Sequence, residues 1–347
     1  MSTTVRAWGA PGAGQPLEPF TIERRDLRPD DVRIDIAYCG ICHSDVSTVA
    51  GEWGERRWPL APGHEVVGTV TAVGSEVTQF QVGDIAGVGC MVDSCGSCEA
   101  CLAGEEQFCT VARVLTYGGT MPDGEYTQGG YAQQIVVQEA FALQVPDTIP
   151  LPNAAPLLCA GITTYSPLLH WGVGEGTRVG VVGLGGLGHM GVQIAAALGA
   201  EVTVLTHSAS KAADALRLGA TDVVATSEPG ALEAARGRFD FLLNTVAAPL
   251  DFDAYMNTLR VDGVMCNVAL PKEPFSAPVR TFTNARRTFA GSLIGGIAET
   301  QEMLDFCAEH RIGAEVEVIA ADRINEAYDR MMRSDVKYRF VIDTATV

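Results

Sequence analysis

A run of glycines set between a strand and a helix constrains this chain more than any other feature. Arg178–Val182 is short and apolar, and Gly183-Leu-Gly-Gly-Leu-Gly188 follows it. Leu187, Met190, Gly191, Ile194, Ala195 and Leu198 then recur at helical spacing until Gly199 stops the helix. This order opens a βαβ unit of a parallel sheet. Gly183 suits the tight turn, Gly185 lets a pyrophosphate approach the backbone, and Gly188 lets helix pack on strand. Leu184, Gly186 and Leu187 complete the loop, and the helix N-terminus offers free N–H groups to phosphate. The alternation continues with Glu201–Leu205 as strand, Lys211–Leu218 as helix, and Phe239–Thr245, Gly263–Ala269 and Thr288–Ser292 as strands; the tail opens with a helix, Thr300–His310, and ends in the strand-like Tyr338–Asp343.

A dinucleotide whose ribose hydroxyls are free is expected to meet a carboxylate about 20 residues beyond the glycines. Here the stretch reads Thr206-His207-Ser208-Ala-Ser-Lys211, with no acid. Hydroxyls and Lys211 suit an extra phosphate, which favours NADP(H). A serine that only caps the next helix is compatible with the same residues.

Before about Pro150 the texture differs. Short β-branched runs such as Asp31–Ala37, Glu65–Val73 and Gln134–Val137, interrupted by Gly and Pro, predict an irregular β domain. A length of 347 residues fits two domains, and 47% hydrophobic residues provide for large cores. The formal charge of −18 argues against nucleic acid or an anionic membrane as partner. The longest apolar stretch, Val179–Ala200, carries seven glycines and His189 and predicts no membrane span. The opening residues show no secretory pattern, so a cytoplasmic protein is expected.

Five of the ten cysteines fall between Cys90 and Cys109. In a reducing compartment such a cluster argues for metal rather than disulfides. Cys95, Cys98, Cys101 and Cys109 supply four thiolates from one loop, the set of a closed structural zinc site. An iron–sulfur cluster is the competing reading, disfavoured because no second cluster motif follows. Cys90 reads as a small buried residue. Cys42, His64 and Cys159 are scattered, and each alone is more simply a packing residue. Cys39 and Cys42 also form a C-x-x-C pair, although no redox-type βαβ pattern surrounds them. Together Cys42, His64 and Cys159 offer two thiolates and an imidazole, which leaves the open position that catalytic zinc requires.

These motifs resemble the zinc-dependent medium-chain alcohol dehydrogenases, particularly their cinnamyl alcohol dehydrogenase-like branch. The resemblance runs through Cys39-Gly-Ile-Cys-His-Ser-Asp45, Pro62-Gly-His-Glu65, the four-cysteine loop, Ala155-Pro-Leu-Leu-Cys-Ala-Gly161, the glycine turn, Gly291-Ser-Leu-Ile-Gly-Gly296 and Tyr338-Arg-Phe-Val-Ile342. It implies an α/β chain: a GroES-like, β-rich catalytic domain (1–155 and 295–347, zinc loop 90–110) and a Rossmann domain with a doubly wound parallel sheet (156–294). It further implies two zinc ions per subunit, a homodimer, and exchange of hydride between NADP(H) and a primary alcohol or aldehyde.

By this resemblance Cys42, His64 and Cys159 hold the catalytic zinc, Glu65 ligates it transiently, and Cys39 only packs. Asp45 orients His64, and Ser44 hydrogen-bonds the substrate oxygen. His43 occupies a place near the pyrophosphate, while Thr163, Thr245, Val246, Ser292, Leu293 and Ile294 line the cofactor. Trp53, Trp58 and Leu115 are either pocket lining or local packing. The chain departs from many relatives at Ser47, where a histidine would accept the alcohol proton relayed from Ser44. Serine has no pKa near 7 and cannot serve as a poised base. That departure keeps open a second reading, reduction of an imine or iminium, which needs no such relay. A third, a non-catalytic NADP-binding sensor, is disfavoured because the zinc ligands and Ser44 are all present.

Overall fold

The computed structural model describes residues 2–347, which separate into two compact units. One comprises residues 2–162 and 295–347, the other residues 163–294.

In the second unit, among the described residues, six strands form one parallel sheet. Across it run Asp222–Ala225, Glu201–Thr206, Arg178–Val182, Phe239–Asn244, Leu259–Asn267 and Thr288–Gly291. The first strand in sequence therefore lies inside the sheet, and the winding reverses beside it. In such sheets ligands bind beyond the carboxyl ends of the strands at that reversal. Val182, at this end, leads directly into the glycine turn. The central strands Arg178–Val182, Glu201–Thr206 and Phe239–Asn244 are buried along nearly their whole length, as strands covered on both faces are. Val182, Leu205, Leu242 and Met265 pack with Phe252, Tyr255 and Met256 in one core cluster.

In the first unit a seven-stranded sheet is organised around Asp31–Gly40. That strand pairs with Val66–Val73, Gln134–Gln138 and Arg339–Asp343, all antiparallel. Residues from the far end of the chain thus complete a sheet begun near its start. The register sets Val341 opposite Gly40 and Cys39 opposite Val66. Cys42, Glu65 and Arg339 consequently converge at one end of the sheet.

Three boundaries differ from the sequence reading for identifiable reasons. Glu65 lies just outside the strand, which begins at Val66, and its side chain faces an arginine instead of a pleat neighbour. The helix expected from Thr300 begins at Ile297 because the distant Glu106 carboxylate accepts the Ile297 N–H at 3.1 Å. The helix expected from Lys211 begins as a 3₁₀ turn, Ala209–Lys211, and becomes α-helical over Ala212–Arg217.

Arg24 ties this unit together. Its buried guanidinium donates to the carbonyls of Gln134 at 2.8 Å, Gln128 at 2.6 Å and Gly129 at 2.7 Å. Removing it strands three carbonyl groups away from solvent. Arg24→Met is expected to cost about 3 kcal/mol. Arg236→Ala, which loses the solvent-exposed pair with Glu233, should cost far less than Arg24→Met. Comparing the thermal midpoints of the two variants checks this ranking.

Candidate metal and cofactor sites

Cys42, His64, Glu65 and Cys159 place one potential ligand atom each within 4.8 Å of one another. They come from three separated segments. Cys42 caps the helix His43–Val49, and the Asp45 carboxylate closes that cap by accepting the Cys42 N–H at 2.8 Å. The other Asp45 oxygen lies 3.1 Å from His64 Nδ1, which leaves Nε2 for a metal. Cys159 follows the buried turn Ala155–Leu158, and its sulfur lies 3.9 Å from that of Cys42.

These groups fit a dication. The edge of a tetrahedron with metal–sulfur bonds of about 2.3 Å is about 3.8 Å, close to the observed sulfur separation. The Cys159 thiol bonds to Cys42 and holds the Cys42 pKa well below the thiol range against the effect of burial. The same bond pushes Cys159 up. Burial raises Glu65 to about 7 against the pull of Arg339. Glu65 Oε1 is held by the Arg339 guanidinium, while Oε2 is buried without a hydrogen-bond partner. A buried carboxylate oxygen without a donor is costly, and a nearby cation would relieve it.

The second group is Cys95, Cys98, Cys101 and Cys109, also within 4.8 Å of one another. Cys101 lies 3.8 Å from Cys95 and 3.5 Å from Cys98. Backbone N–H groups point at the sulfurs: Cys98 N–H at Cys95, 3.3 Å, and Ala112 N–H at Cys109, 3.5 Å. N–H groups of Ser97 and Cys98 draw the Cys95 pKa down to about 6. Ser97 and Cys98 are thus turn residues that prepare a thiolate. All ten cysteines are free of disulfides.

Cys39 and Cys90 enter neither group. Cys39 is buried, with its sulfur toward the Gly40 carbonyl, and Cys90 faces the carbonyl of Leu158. Ser44 lies on the first turn after Cys42, its oxygen 3.6 Å from the sulfur. Ser47 is half-buried one turn further on, and His43 is exposed. Trp53 and Leu115 are each 38% exposed. Arg339, the partner of Glu65, was not singled out in the sequence. A charge opening an otherwise apolar strand was the available signal.

In the parallel-sheet unit the three turn glycines differ in why they are glycine. Gly183 has φ of +92°, and a Cβ on Gly188 would sit 2.2 Å from the Gly183 carbonyl oxygen. A Cβ on Gly185 would meet nothing within 4 Å. The protein itself does not require glycine there, whereas a closely approaching ligand would. Lys211 Nζ donates to the Leu184 carbonyl at 3.0 Å and so lies over the turn. Ser208 accepts from the Ser210 N–H at 3.2 Å, and Thr206 closes its strand. His207 is exposed beside them. Thr245 Oγ1 donates to the Val182 carbonyl at 2.7 Å, and Val246 follows it under Gly183. Ser292, Leu293 and Ile294 leave the carboxyl end of the last strand, and Thr163 is buried in the helix Ala160–His170.

Two family descriptions match: "Alcohol dehydrogenase GroES-like domain" over residues 28–147 and "Zinc-binding dehydrogenase" over residues 186–309. "NADP-dependent alcohol dehydrogenase C" of Mycobacterium tuberculosis is 54% identical over 345 residues, covering 99% of this chain and all of that one. The chain belongs to the zinc-binding medium-chain alcohol dehydrogenase family. Another family member, "Aldehyde reductase YahK" of Escherichia coli, is 53% identical over 99% of both chains. Among solved structures, "CAD from Helicobacter pylori complexed with NADP(H)" matches with a TM-score of 0.93 at 39% identity, covering 99% of each chain. The GroES-like β unit and the Rossmann-type parallel sheet agree with this family, as do a structural four-cysteine zinc site and a catalytic site of cysteine, histidine and glutamate.

Purified protein is expected to contain two zinc ions per chain by elemental analysis. Cys98→Ser should lower the thermal midpoint, because structural zinc contributes folding free energy directly. Cys159→Ser should lose one ion and turnover while the fold persists. Retention of both ions with full turnover in Cys159→Ser would overturn the assignment.

Proposed function

We propose that the chain is an NADP(H)-dependent zinc alcohol dehydrogenase that works chiefly as an aldehyde reductase. The carrying observation is the buried donor set Cys42, His64 and Cys159, with Glu65 restrained at its side by Arg339. The unit of residues 2–162 and 295–347 takes the metal, and that of residues 163–294 takes the cofactor.

Zinc held by these residues supplies Lewis acidity to a substrate oxygen, and the nicotinamide supplies or accepts the hydride. The chain's own groups set the conditions. Asp45 fixes the ring of His64, and the two thiolates offset the charge of the metal. Ser44 lies beside Cys42 and passes the substrate hydroxyl proton. Arg339 holds Glu65 by one oxygen and leaves the other buried without a hydrogen-bond partner. Alcohols and aldehydes are the substrate class, since the similar proteins named for activity are an alcohol dehydrogenase and an aldehyde reductase. A panel of aromatic and aliphatic aldehydes assayed with NADPH tests this reading. A homodimer and a cytoplasmic location belong to the same proposal. The location is supported by the ten free thiols. No helix among the described residues is long and apolar enough to cross a membrane.

NADP(H) preference rests on the acid-free stretch Thr206–Lys211 and on Lys211 lying over the glycine turn. Lys211→Ala should raise the NADPH KM about ten-fold and the NADH KM much less, since only NADPH carries the added phosphate. The ratio of the two is the decisive quantity, because loss of the Leu184 contact affects both. Gly185→Ala should leave the thermal midpoint unchanged and weaken both cofactors. Equal kcat/KM for NADPH and NADH in the parent would refute the preference.

Ser47 favours reduction over oxidation. With serine in place of a basic relay group, water must accept the proton that Ser44 passes on. Alcohol oxidation should be slow near neutral pH and accelerate as pH rises, whereas reduction suffers less. An imine or iminium substrate, the second reading, would avoid the relay. Ser47→His, assayed in both directions over about pH 6–10, should speed neutral alcohol oxidation. An unchanged rate means that the missing base is not limiting.

A further inference from the structure

Four donors converge on the buried carboxylate of Asp45. Oδ1 accepts the Gly63 N–H at 3.2 Å and lies 3.1 Å from His64 Nδ1. Oδ2 accepts the Cys42 N–H at 2.8 Å and the Tyr131 hydroxyl at 3.2 Å. An ionised carboxylate has about four lone-pair sites, and Tyr131 takes one of those on Oδ2 beside the Cys42 N–H. The Tyr131 oxygen accepts in turn from the Tyr328 hydroxyl at 3.4 Å. Tyr328 stands on the helix Ile324–Met332, and both rings are buried.

Tyr131 is itself held rigidly. Its N–H donates to the Pro62 carbonyl at 3.0 Å, and its carbonyl accepts the Trp8 N–H at 2.8 Å. A Cβ on Gly63 would come within 2.6 Å of its ring, so the ring is pressed against the backbone that precedes His64. Arg24 secures the same loop through the carbonyls of Gln128 and Gly129. This order matters because the terminal torsion of an aspartate is intrinsically soft and broad. Two donors on each oxygen hold the carboxylate plane. With one oxygen losing a donor, the plane can rotate, and the direction of the His64 ring follows it.

We propose that Tyr131, braced by Tyr328, is a positioning residue for the catalytic metal: its hydroxyl locks the Asp45 carboxylate and, through it, the His64 ring. The proposal rests on Cys42, His64 and Cys159 being the metal ligands. Tyr131→Phe keeps the ring that fills the core and removes only the hydroxyl. Tyr328→Phe removes only the brace.

The test uses the full-length protein loaded with zinc, and with cobalt as a spectroscopic substitute, in Tyr131→Phe, Tyr328→Phe and the double variant. Metal affinity is measured by competition with a chelator, with both ions counted. Tyr131→Phe should weaken the catalytic site about ten-fold, a typical effect for a partner behind a metal ligand. It should spare the four-cysteine site and shift the visible cobalt bands. Tyr328→Phe should produce a smaller loss, and the double variant should match Tyr131→Phe, because Tyr328 acts through Tyr131. Parental affinity and spectrum in Tyr131→Phe would overturn the proposal. So would a Tyr328→Phe loss as large in the Tyr131→Phe background as in the parent. If Tyr131→Phe does not fold, Tyr328→Phe carries the test through the same readouts, and parental values there overturn it. A parent that binds one ion tightly, not two, overturns the ligand assignment and this proposal together.

Discussion

The Asp45 carboxylate is the group on which the metal-binding unit depends. It closes the cap of the Cys42 helix, takes the N–H before His64, and faces the His64 ring. One side chain thus fixes two metal ligands from segments about 20 residues apart. Its charge also governs theirs. Burial alone would push the His64 pKa down, but Asp45 with its neighbours outweighs burial and holds it well above the ordinary value. A metal requires His64 neutral and both sulfurs as thiolates, so the upward shifts of His64 and Cys159 set protons in competition with it. Affinity for the metal consequently falls as pH falls. The set of buried carboxylates and thiols is tolerated because a cation completes it.

The two cysteine-containing sites solve different problems. Cys95, Cys98, Cys101 and Cys109 lie within one short loop, and nearby backbone N–H groups favour the thiolates of Cys95 and Cys109. Such a site needs little from the rest of the protein. The catalytic set draws on the end of the central strand, the start of its neighbour and a distant turn. The sheet register is what brings these together, and closing it requires the strand Arg339–Asp343 from the end of the chain.

Legibility in the sequence follows this difference. The glycine turn, its strand and the four-cysteine loop are local, so their spacing alone revealed them. Cys42, His64 and Cys159 each read as packing residues in isolation, and only their combination and the resemblance gave them roles. Arg339 was invisible because its partner Glu65 lies 274 residues away. Tyr131 and Tyr328 were missed for the same reason: their hydroxyl contacts span 86 and 197 residues. The early start of the helix Ile297–His310 depends on Glu106, 191 residues earlier. Periodicity reports which face of an element is buried. It does not report which distant polar group waits there.

Glu65 shows how an open position can be built without leaving a ligand out. A fourth thiolate at this place would close the tetrahedron, as it does in the cysteine loop. A carboxylate bound to Arg339 has two demands on it, and the guanidinium competes with any metal for its charge. The competition is asymmetric. Arg339 is buried, and it also donates to the Ile41 carbonyl at 2.8 Å, one residue before Cys42. It is therefore anchored to the backbone beside the metal ligands, while Glu65 retains an unsatisfied oxygen. A ligand tethered in this way can approach a metal without being committed to it. The position of the Glu65 carboxylate is therefore set by the strand that carries Arg339, 274 residues away in sequence.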